Sequence, residues 1–266
     1  MPAPATPARV VKLGGRLLDD PAALAGLAAA IAGLPGRVVV VHGGGDAIGE
    51  LQGRLGLAVE KRDGLRVTTA GALDVVTMVL AGRINTRVVA ALHAAKVDAL
   101  GLSGVDRGLL DCRRVIHPAG DLGFVGEVAA VRVSVLAACM AEHVVPVVAP
   151  LGVDAGGQVY NVNADDAAAA IARALGVELD LVSDVGGVVV DGAVVTRLAA
   201  PEAERLIAAG VIHGGMVPKV RAALGAIASG VPRARIVDPQ GLVAGAGTVF
   251  AGGPASPDPD AMEIST

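Results

Sequence analysis

Two short runs, Arg9 to Leu13 and Arg37 to Val41, are dominated by valine and lead into glycines, the second through His42. A strand with one wet face alternates apolar and polar residues, whereas a run apolar on both faces reads as a parallel strand buried on both sides. Between the two runs, Pro21 to Gly33 is an Ala/Leu helix opened by Asp19-Asp20-Pro21, where Asp suits the cap and Pro the first turn. Parallel neighbours need a crossover of this kind, so strand, helix and strand together specify an open sheet covered by helices.

The rest of the chain continues the alternation. Helices are expected from Asp46 to Leu55, Ala70 to about Ala95, Asp165 to Leu175, Ala200 to Ala209 and Pro218 to Ser229. Strands are expected at Val97 to Leu102, Val144 to Ala149, Leu179 to Val182 and Ala234 to Asp238, with a Gly-rich, hairpin-containing segment from Gly104 to Val128. No repeat and no long linker divides the 266 residues. The expected class is α/β, a three-layer αβα sandwich with a mostly parallel central sheet. One domain over 10–250 is expected, with disordered tails at 1–9 and 252–266.

Composition narrows the function. A chain 53% hydrophobic and 18% charged is not disordered. Its net charge is −4, its basic residues are scattered, and its aromatic content of 1% offers no stacking platform, so no nucleic acid partner is expected. The Ala/Leu run Ala22 to Leu34 is shorter than the roughly 20 residues that span a bilayer. No apolar stretch ahead of Lys12 suits a signal peptide, so a cytoplasmic protein without a membrane partner is expected. Cys112 and Cys139 form no CxxC and are expected as reduced thiols; the five histidines show no ligand spacing, and no metal site is expected.

In parallel sheets, ligands bind beyond the carboxyl ends of strands, where loops enter helices. Six motifs fall at such places. Lys12-Leu-Gly14-Gly15 ends the first strand, and its lysine either aims at an anion or snorkels to solvent. His42-Gly43-Gly44-Gly45 opens a helix whose N-terminus favours negative charge, with His42 read as a packed strand-end residue rather than a base. Arg66, in Gly64-Leu-Arg-Val-Thr, suits a carboxylate clamp or is a surface arginine, while Lys61 and Arg62 read as a solvated polar run. In Asn161-Val-Asn163-Ala-Asp165, the two amides share a face of an extended segment. Asp165 there either caps the next helix or orients nearby lysines. Ser183-Asp184-Val185-Gly186-Gly187 runs from a strand into a turn. Last, Gly214-Gly215-Met216-Val-Pro-Lys219 puts a cation at a helix start, against the dipole.

Two glycine-flanked lysines without a catalytic His/Ser/Asp set fit phosphoryl transfer, in which an enzyme mainly positions groups and neutralises charge. There is no GxxxxGK[ST] motif, which excludes a P-loop fold.

With Gly101-Leu-Ser-Gly-x-Asp and Gly123-Phe-Val-Gly-Glu-Val added in order, these motifs closely resemble the acetylglutamate kinases of the amino acid kinase superfamily, from about Val10 to Phe250. The resemblance implies the amino acid kinase fold, with an acyl-amino-acid lobe at 10–165 and an ATP lobe at 166–250. It implies transfer of the ATP γ-phosphoryl group to the side-chain carboxylate of N-acetyl-L-glutamate, in the second step of arginine biosynthesis, with Mg²⁺ carried mainly by the nucleotide. Carried onto this chain, Lys12 and Lys219 neutralise the moving group and Asp165 holds both. Gly14, Gly15, Gly44 and Gly45 give N–H contacts, Arg66 takes the α-carboxylate and Asn161 the acetylated substrate. Ser183, Asp184, Val185, Gly186, Gly187, Gly214, Gly215 and Met216 border the ATP site.

Arginine-inhibited relatives carry an extra N-terminal helix that links dimers into a hexamer. Too few residues precede Lys12 for it, so an arginine-insensitive homodimer is expected. The segment after Asp238 is shorter than the family's usual ending. Rival readings are a kinase for N-succinylglutamate or a carrier-linked aminoadipate or glutamate, a dehydrogenase resting on the GxG of the triple glycine, and a non-catalytic amino-acid-binding regulator.

Overall fold

The computed structural model describes residues 8–118 and 120–251. The chain runs β1 (Ala8–Leu13), α1 (Gly15–Asp19), α2 (Pro21–Ala32), β2 (Arg37–His42), α3 (Gly45–Arg54), β3 (Lys61–Arg62), β4 (Leu65–Arg66) and α4 (Ala70–Thr77). A π-helical segment, Met78–Ile84, joins α4 to α5 (Asn85–Ala94). Then come β5 (Ala99–Ser103), β6 (Leu110–Arg114), β7 (Val125–Val131), α6 (Val133–Ala141), β8 (Val145–Ala149), β9 (Leu151–Val153), β10 (Val159–Val162) and α7 (Ala164–Leu175). The last part holds β11 (Glu178–Val182), β12 (Val189–Val190), β13 (Ala193–Val194), α8 (Ala200–Ala208), α9 (Met216–Ala228), β14 (Arg233–Val237), α10 (Pro239–Ala244) and β15 (Thr248–Ala251).

Seven strands form one sheet in the order β15-β14-β11-β1-β2-β8-β5, parallel except for β15. This is the expected αβα sandwich. β1 sits inside it, paired along its length with β2 on one side and β11 on the other. Alternate residues of each strand feed two apolar cores. Val10, Val39 and Leu181 meet Ala168, Ile171 and Val220 of α7 and α9 on one face. Val11, Val40 and Val182 meet Leu27, Val79 and Leu242 on the other. Burying an aliphatic side chain of this size contributes roughly 1.5–3 kcal/mol, so the two-faced burial explains why the strands read as unbroken apolar runs.

Several boundaries differ from the sequence reading for identifiable reasons. Ala8 and Arg9 belong to β1 rather than to a tail, because they pair with Arg37 and Val38; the remainder of both expected tails lies outside the described residues. The strand expected from Val97 begins at Ala99, since Lys96 takes a positive φ of 65° and Val97 N–H closes a turn onto Leu92. α9 begins two residues earlier than expected, at Met216, and takes Pro218 in its first turn. Asp238, expected as strand, caps α10 by accepting from Gly241 N–H.

The Gly-rich segment does contain a hairpin, β6–β7, but β9 and β10 close it into a small barrel. That closure requires glycines. A Cβ on Gly104 would stand 1.9 Å from Leu151 O, and one on Gly152 would stand 2.1 Å from Cys112 Sγ. The helix at 70–94 is long and apolar enough to cross a membrane by length alone. Its inner face buries Val75, Val76, Leu80, Val88 and Leu92 in the core.

Candidate active site

At the carboxyl ends of β1, β2 and β11, the strand-to-helix loops leave two neighbouring cavities. One, of about 260 Å³, is lined by Lys12, Gly14, Leu17, Ser183, Asp184, Gly215 and Lys219. The other, about 350 Å³, includes Lys12, Gly43, Gly44, Lys61, Arg66 and Asn161 in its wall, with Asp165 at the first turn of α7. Lys12 is common to both. A wider cleft of about 620 Å³ opens between the Asp63–Leu65 turn and Val217, Pro218 and Arg221 of α9, and reaches Asp165.

Lys12 closes the central strand, and its Nζ lies 2.8 Å from Asp165 Oδ1. The carboxylate compensates an ammonium held largely out of water, which would otherwise be costly. Asp165 is free for this because Asn163, not Asp165, caps α7: its Oδ1 accepts from Asp165 N–H at 2.8 Å and from Asp166 N–H at 3.3 Å. The capping alternative for Asp165 is thereby replaced. Asn161 lines the second cavity together with Asn163 and donates to Thr68 Oγ1 at 3.1 Å.

Lys219 lies on the first turn of α9 and pairs with Asp184 at 3.3 Å. The expectation that Asp165 holds both lysines is corrected here. Asp165 holds Lys12, and the second lysine is anchored by a carboxylate at the end of β11. The two cations nevertheless line one cavity. Gly14 N–H, expected to meet phosphoryl oxygens, instead donates to Val182 O at 3.0 Å and fastens the glycine turn to β11.

Arg66 ends the β3–β4 hairpin, and burial lowers its pKa while Asp46 opposes the shift. Its Nη1 donates to Gln52 Oε1 at 2.5 Å. Gln52, fully buried on α3, was not singled out in the sequence, where one polar residue on a helix carries no signal; its Nε2 has no partner among the described residues. Lys61, read as part of a solvated run, lines the second cavity. Gly44 is closed in from behind, since a Cβ there would stand 2.6 Å from both Ile48 Cδ1 and Leu80 Cδ2. His42 is the packed strand-end residue expected of it: fully buried, with its pKa lowered to about 4 by burial.

The profile of the amino acid kinase family matches residues 7–238. The acetylglutamate kinase of Roseiflexus sp. (strain RS-1) is 52% identical over 238 residues, 89% of this chain and 91% of that protein. The chain belongs to the amino acid kinase family. Within it, the acetylglutamate kinase of Chloroflexus aurantiacus (strain ATCC 29366 / DSM 635 / J-10-fl) is 51% identical, over 93% of this chain and 98% of that one. Among solved structures, N-acetylglutamate synthase from Neisseria gonorrhoeae, complexed with coenzyme A and N-acetyl-glutamate, superposes with a TM-score of 0.80 at 25% identity. The match covers 94% of this chain and 60% of that one. Carbamate kinase from Giardia lamblia bound to AMP-PNP shares the fold at a TM-score of 0.67 and 17% identity, over 94% of this chain and 99% of that one. The chain is a kinase of this family.

Of the residues singled out in the sequence, Lys12, Gly14, Ser183, Asp184, Gly215 and Lys219 meet around the first cavity, and Gly44, Arg66, Asn161 and Asp165 around the second. Gly15 and Gly45 begin α1 and α3 beside them. Val185, Gly186, Gly187, Gly214 and Met216 are not among the described lining residues. Val185 N–H donates to Ser183 Oγ at 3.2 Å, and Gly187 adopts a φ of 153° against Thr248, where a Cβ would stand 2.7 Å from Oγ1. These contacts of Val185 and Gly187 shape the turn. Gly214 takes a positive φ of 56° ahead of α9.

Proposed function

We propose that the chain transfers the γ-phosphoryl group of ATP to the side-chain carboxylate of N-acetyl-L-glutamate, giving an acyl phosphate in arginine biosynthesis. The observation that carries this reading is Lys12, whose side chain walls both cavities at once. The cavity with Ser183, Asp184, Gly215 and Lys219 takes the nucleotide phosphates, and the one with Gly44, Arg66 and Asn161 takes the acid. On this division, residues 10–165 form the acid-binding lobe and 166–250 the nucleotide lobe.

A carboxylate is already a nucleophile at neutral pH, so the reaction needs no general base. Its barrier comes from bringing two anions together, and an ammonium at their junction with a second across the nucleotide cavity lowers that repulsion. Arg66, held by Gln52, offers a planar fork to the α-carboxylate. Gly14 N–H and Gly43 N–H are already given to Val182 O and Leu13 O, so the donor left to the substrate by these turns is Gly44 N–H, fixed before the substrate arrives.

Among the described residues there is no group of three or more His, Cys, Asp or Glu side chains suited to a metal cage. Asp184 and Ser183 supply the oxygen donors of the nucleotide cavity. Such a donor set fits Mg²⁺ held mainly by the nucleotide, with these two residues nearby. When bound, the ion offsets phosphate charge.

We further propose a cytoplasmic homodimer. Exposed Met78 on the long helix and Leu100 on the edge strand β5 support a second copy packing at that side.

Hydroxylamine converts an acyl phosphate to a hydroxamate, so trapping with ATP and each of acetylglutamate, succinylglutamate and aminoadipate derivatives tests the reading. Hydroxamate from acetylglutamate above the others is expected; equal or greater product from another acid overturns the substrate assignment.

A further inference from the structure

His42 is an imidazole of the β2–α3 turn that the transfer chemistry leaves unused. Both of its nitrogens are engaged. Nδ1 lies 3.1 Å from Gly43 O, and Nε2 lies 3.1 Å from Asn85 Nδ2. The same Asn85 nitrogen lies 2.9 Å from Val147 O. A carbonyl only accepts, so the atom facing it is the amide nitrogen; one of its hydrogens goes to Val147 O, and the other is shared between His42 Nε2 at 3.1 Å and Leu102 O at 3.4 Å. His42 Nε2 is therefore an acceptor, the ring proton sits on Nδ1, and it is donated to Gly43 O.

That donation fixes a peptide plane. In a trans peptide the C=O of one residue and the N–H of the next point in opposite directions. With Gly43 O turned toward the buried ring, Gly44 N–H is turned away from it, on the side where Gly43 and Gly44 wall the acid cavity. Among the described residues this N–H has no acceptor, as expected at the start of α3. Asn85 is held in turn by its surroundings. It stands where the π-helical segment passes into α5, and its Oδ1 would lie 2.1 Å from a Cβ on Gly101, so only glycine leaves it room. The preceding turns place Leu80 against Gly44 from behind. π-Helical turns are rare and occur most often at functional sites.

We propose that His42 and Asn85 are positioning residues that aim the Gly43–Gly44 peptide at the carboxylate receiving the phosphoryl group. The inference rests on the kinase reading and adds to it the device that presets one of its donors. Donors fixed before charge develops are the ones that lower a barrier.

The two imidazole nitrogens can be separated by substitution. The amide nitrogen of asparagine falls near the place of Nδ1, so His42→Asn retains a donor to Gly43 O. The carboxamide of glutamine reaches the place of Nε2, where its Oε1 can accept from Asn85 Nδ2, so His42→Gln retains the link to Asn85 and frees Gly43 O. Hydroxamate formation from ATP and acetylglutamate, normalised to folded protein by circular dichroism, is measured for both variants. His42→Gln is expected to lower kcat 10- to 100-fold with the KM for ATP unchanged, and His42→Asn to stay within about threefold of wild type. Equal turnover per folded molecule in His42→Gln and wild type, or a loss in His42→Asn as large as in His42→Gln, overturns the proposal. Failure of the wild-type chain to form hydroxamate overturns the kinase reading itself, and the proposal with it. That result is distinguishable because it appears before any variant is compared.

Discussion

Replacing Lys12 by alanine tests the proposed chemistry most directly. The ammonium is 2.8 Å from Asp165 Oδ1, its side chain is 15% exposed, and it borders both cavities. A unit charge about 4 Å away is worth ~4 kcal/mol at an effective dielectric of ~20. Only the part of that attraction that grows as charge accumulates between the two anions lowers the barrier. Taking about two-thirds of it, ~2.7 kcal/mol, gives a ~10²-fold loss of kcat. Removing one fixed donor from an oxyanion site costs a similar factor. The substitution also leaves Asp165 without its counter-ion, facing an anionic substrate. Asp165→Asn alone should therefore cost roughly tenfold, through a less firmly held lysine. Introduced into Lys12→Ala, the same change should cost nothing or recover part of the loss, because it then removes only a repulsive charge. Hydroxamate formation and ADP release at saturating ATP and acid measure all four proteins of this cycle. Turnover of Lys12→Ala within threefold of wild type refutes the neutralisation argument, and an equal cost for Asp165→Asn in both backgrounds refutes its action through Lys12.

Four further outcomes are expected. Lys219→Ala should lower kcat at least tenfold with little change in the KM of the acid, because its cavity is the nucleotide's; a purely acid-side defect in steady-state kinetics contradicts this. Gln52→Ala should raise the KM of the acid about tenfold, as Arg66→Ala does, with ATP binding by calorimetry unaltered, since Gln52 fixes the guanidinium. His42, with its pKa lowered to about 4 from 6.5, binds its proton more readily when unfolded. Stability is thus full above about pH 6.5 and falls toward pH 4, by about 3 kcal/mol for this group; urea melts of wild type and His42→Asn should converge in pH dependence only if this is wrong. Burial pushes the Cys112 thiol up to about 12, so a maleimide at pH 8 should label half-buried Cys139 first, and mass mapping of the native protein checks the order.

The sheet was legible because its strands are buried on both faces, which forces near-continuous aliphatic sequence, and because Asp20 and Pro21 announce their helix locally. The site was legible where motif and strand end coincide, at Lys12, Gly44 and Ser183. What escaped depends on contacts distant in the chain. The barrel needs β6, β7, β9 and β10 to meet, and nothing within any one of them states the partner. Gln52 matters only because Arg66 folds onto it from 14 residues away. The pairing of Lys219 with Asp184 joins residues 35 apart in the chain, which no local motif states. The π-helical turns lie inside a periodic apolar stretch that also suits an uninterrupted α-helix.

Strand β1 hydrogen-bonds to β2 on one edge and to β11 on the other, and it delivers the shared ammonium at its tip. The molecule therefore lacks two separately tunable modules. A chimaera that exchanges everything after α7 for a relative's sequence must also preserve the register of Arg9 with Glu178 through Leu13 with Val182. A slip of one residue turns each side chain of β1 to the opposite face and takes Lys12 away from both cavities together.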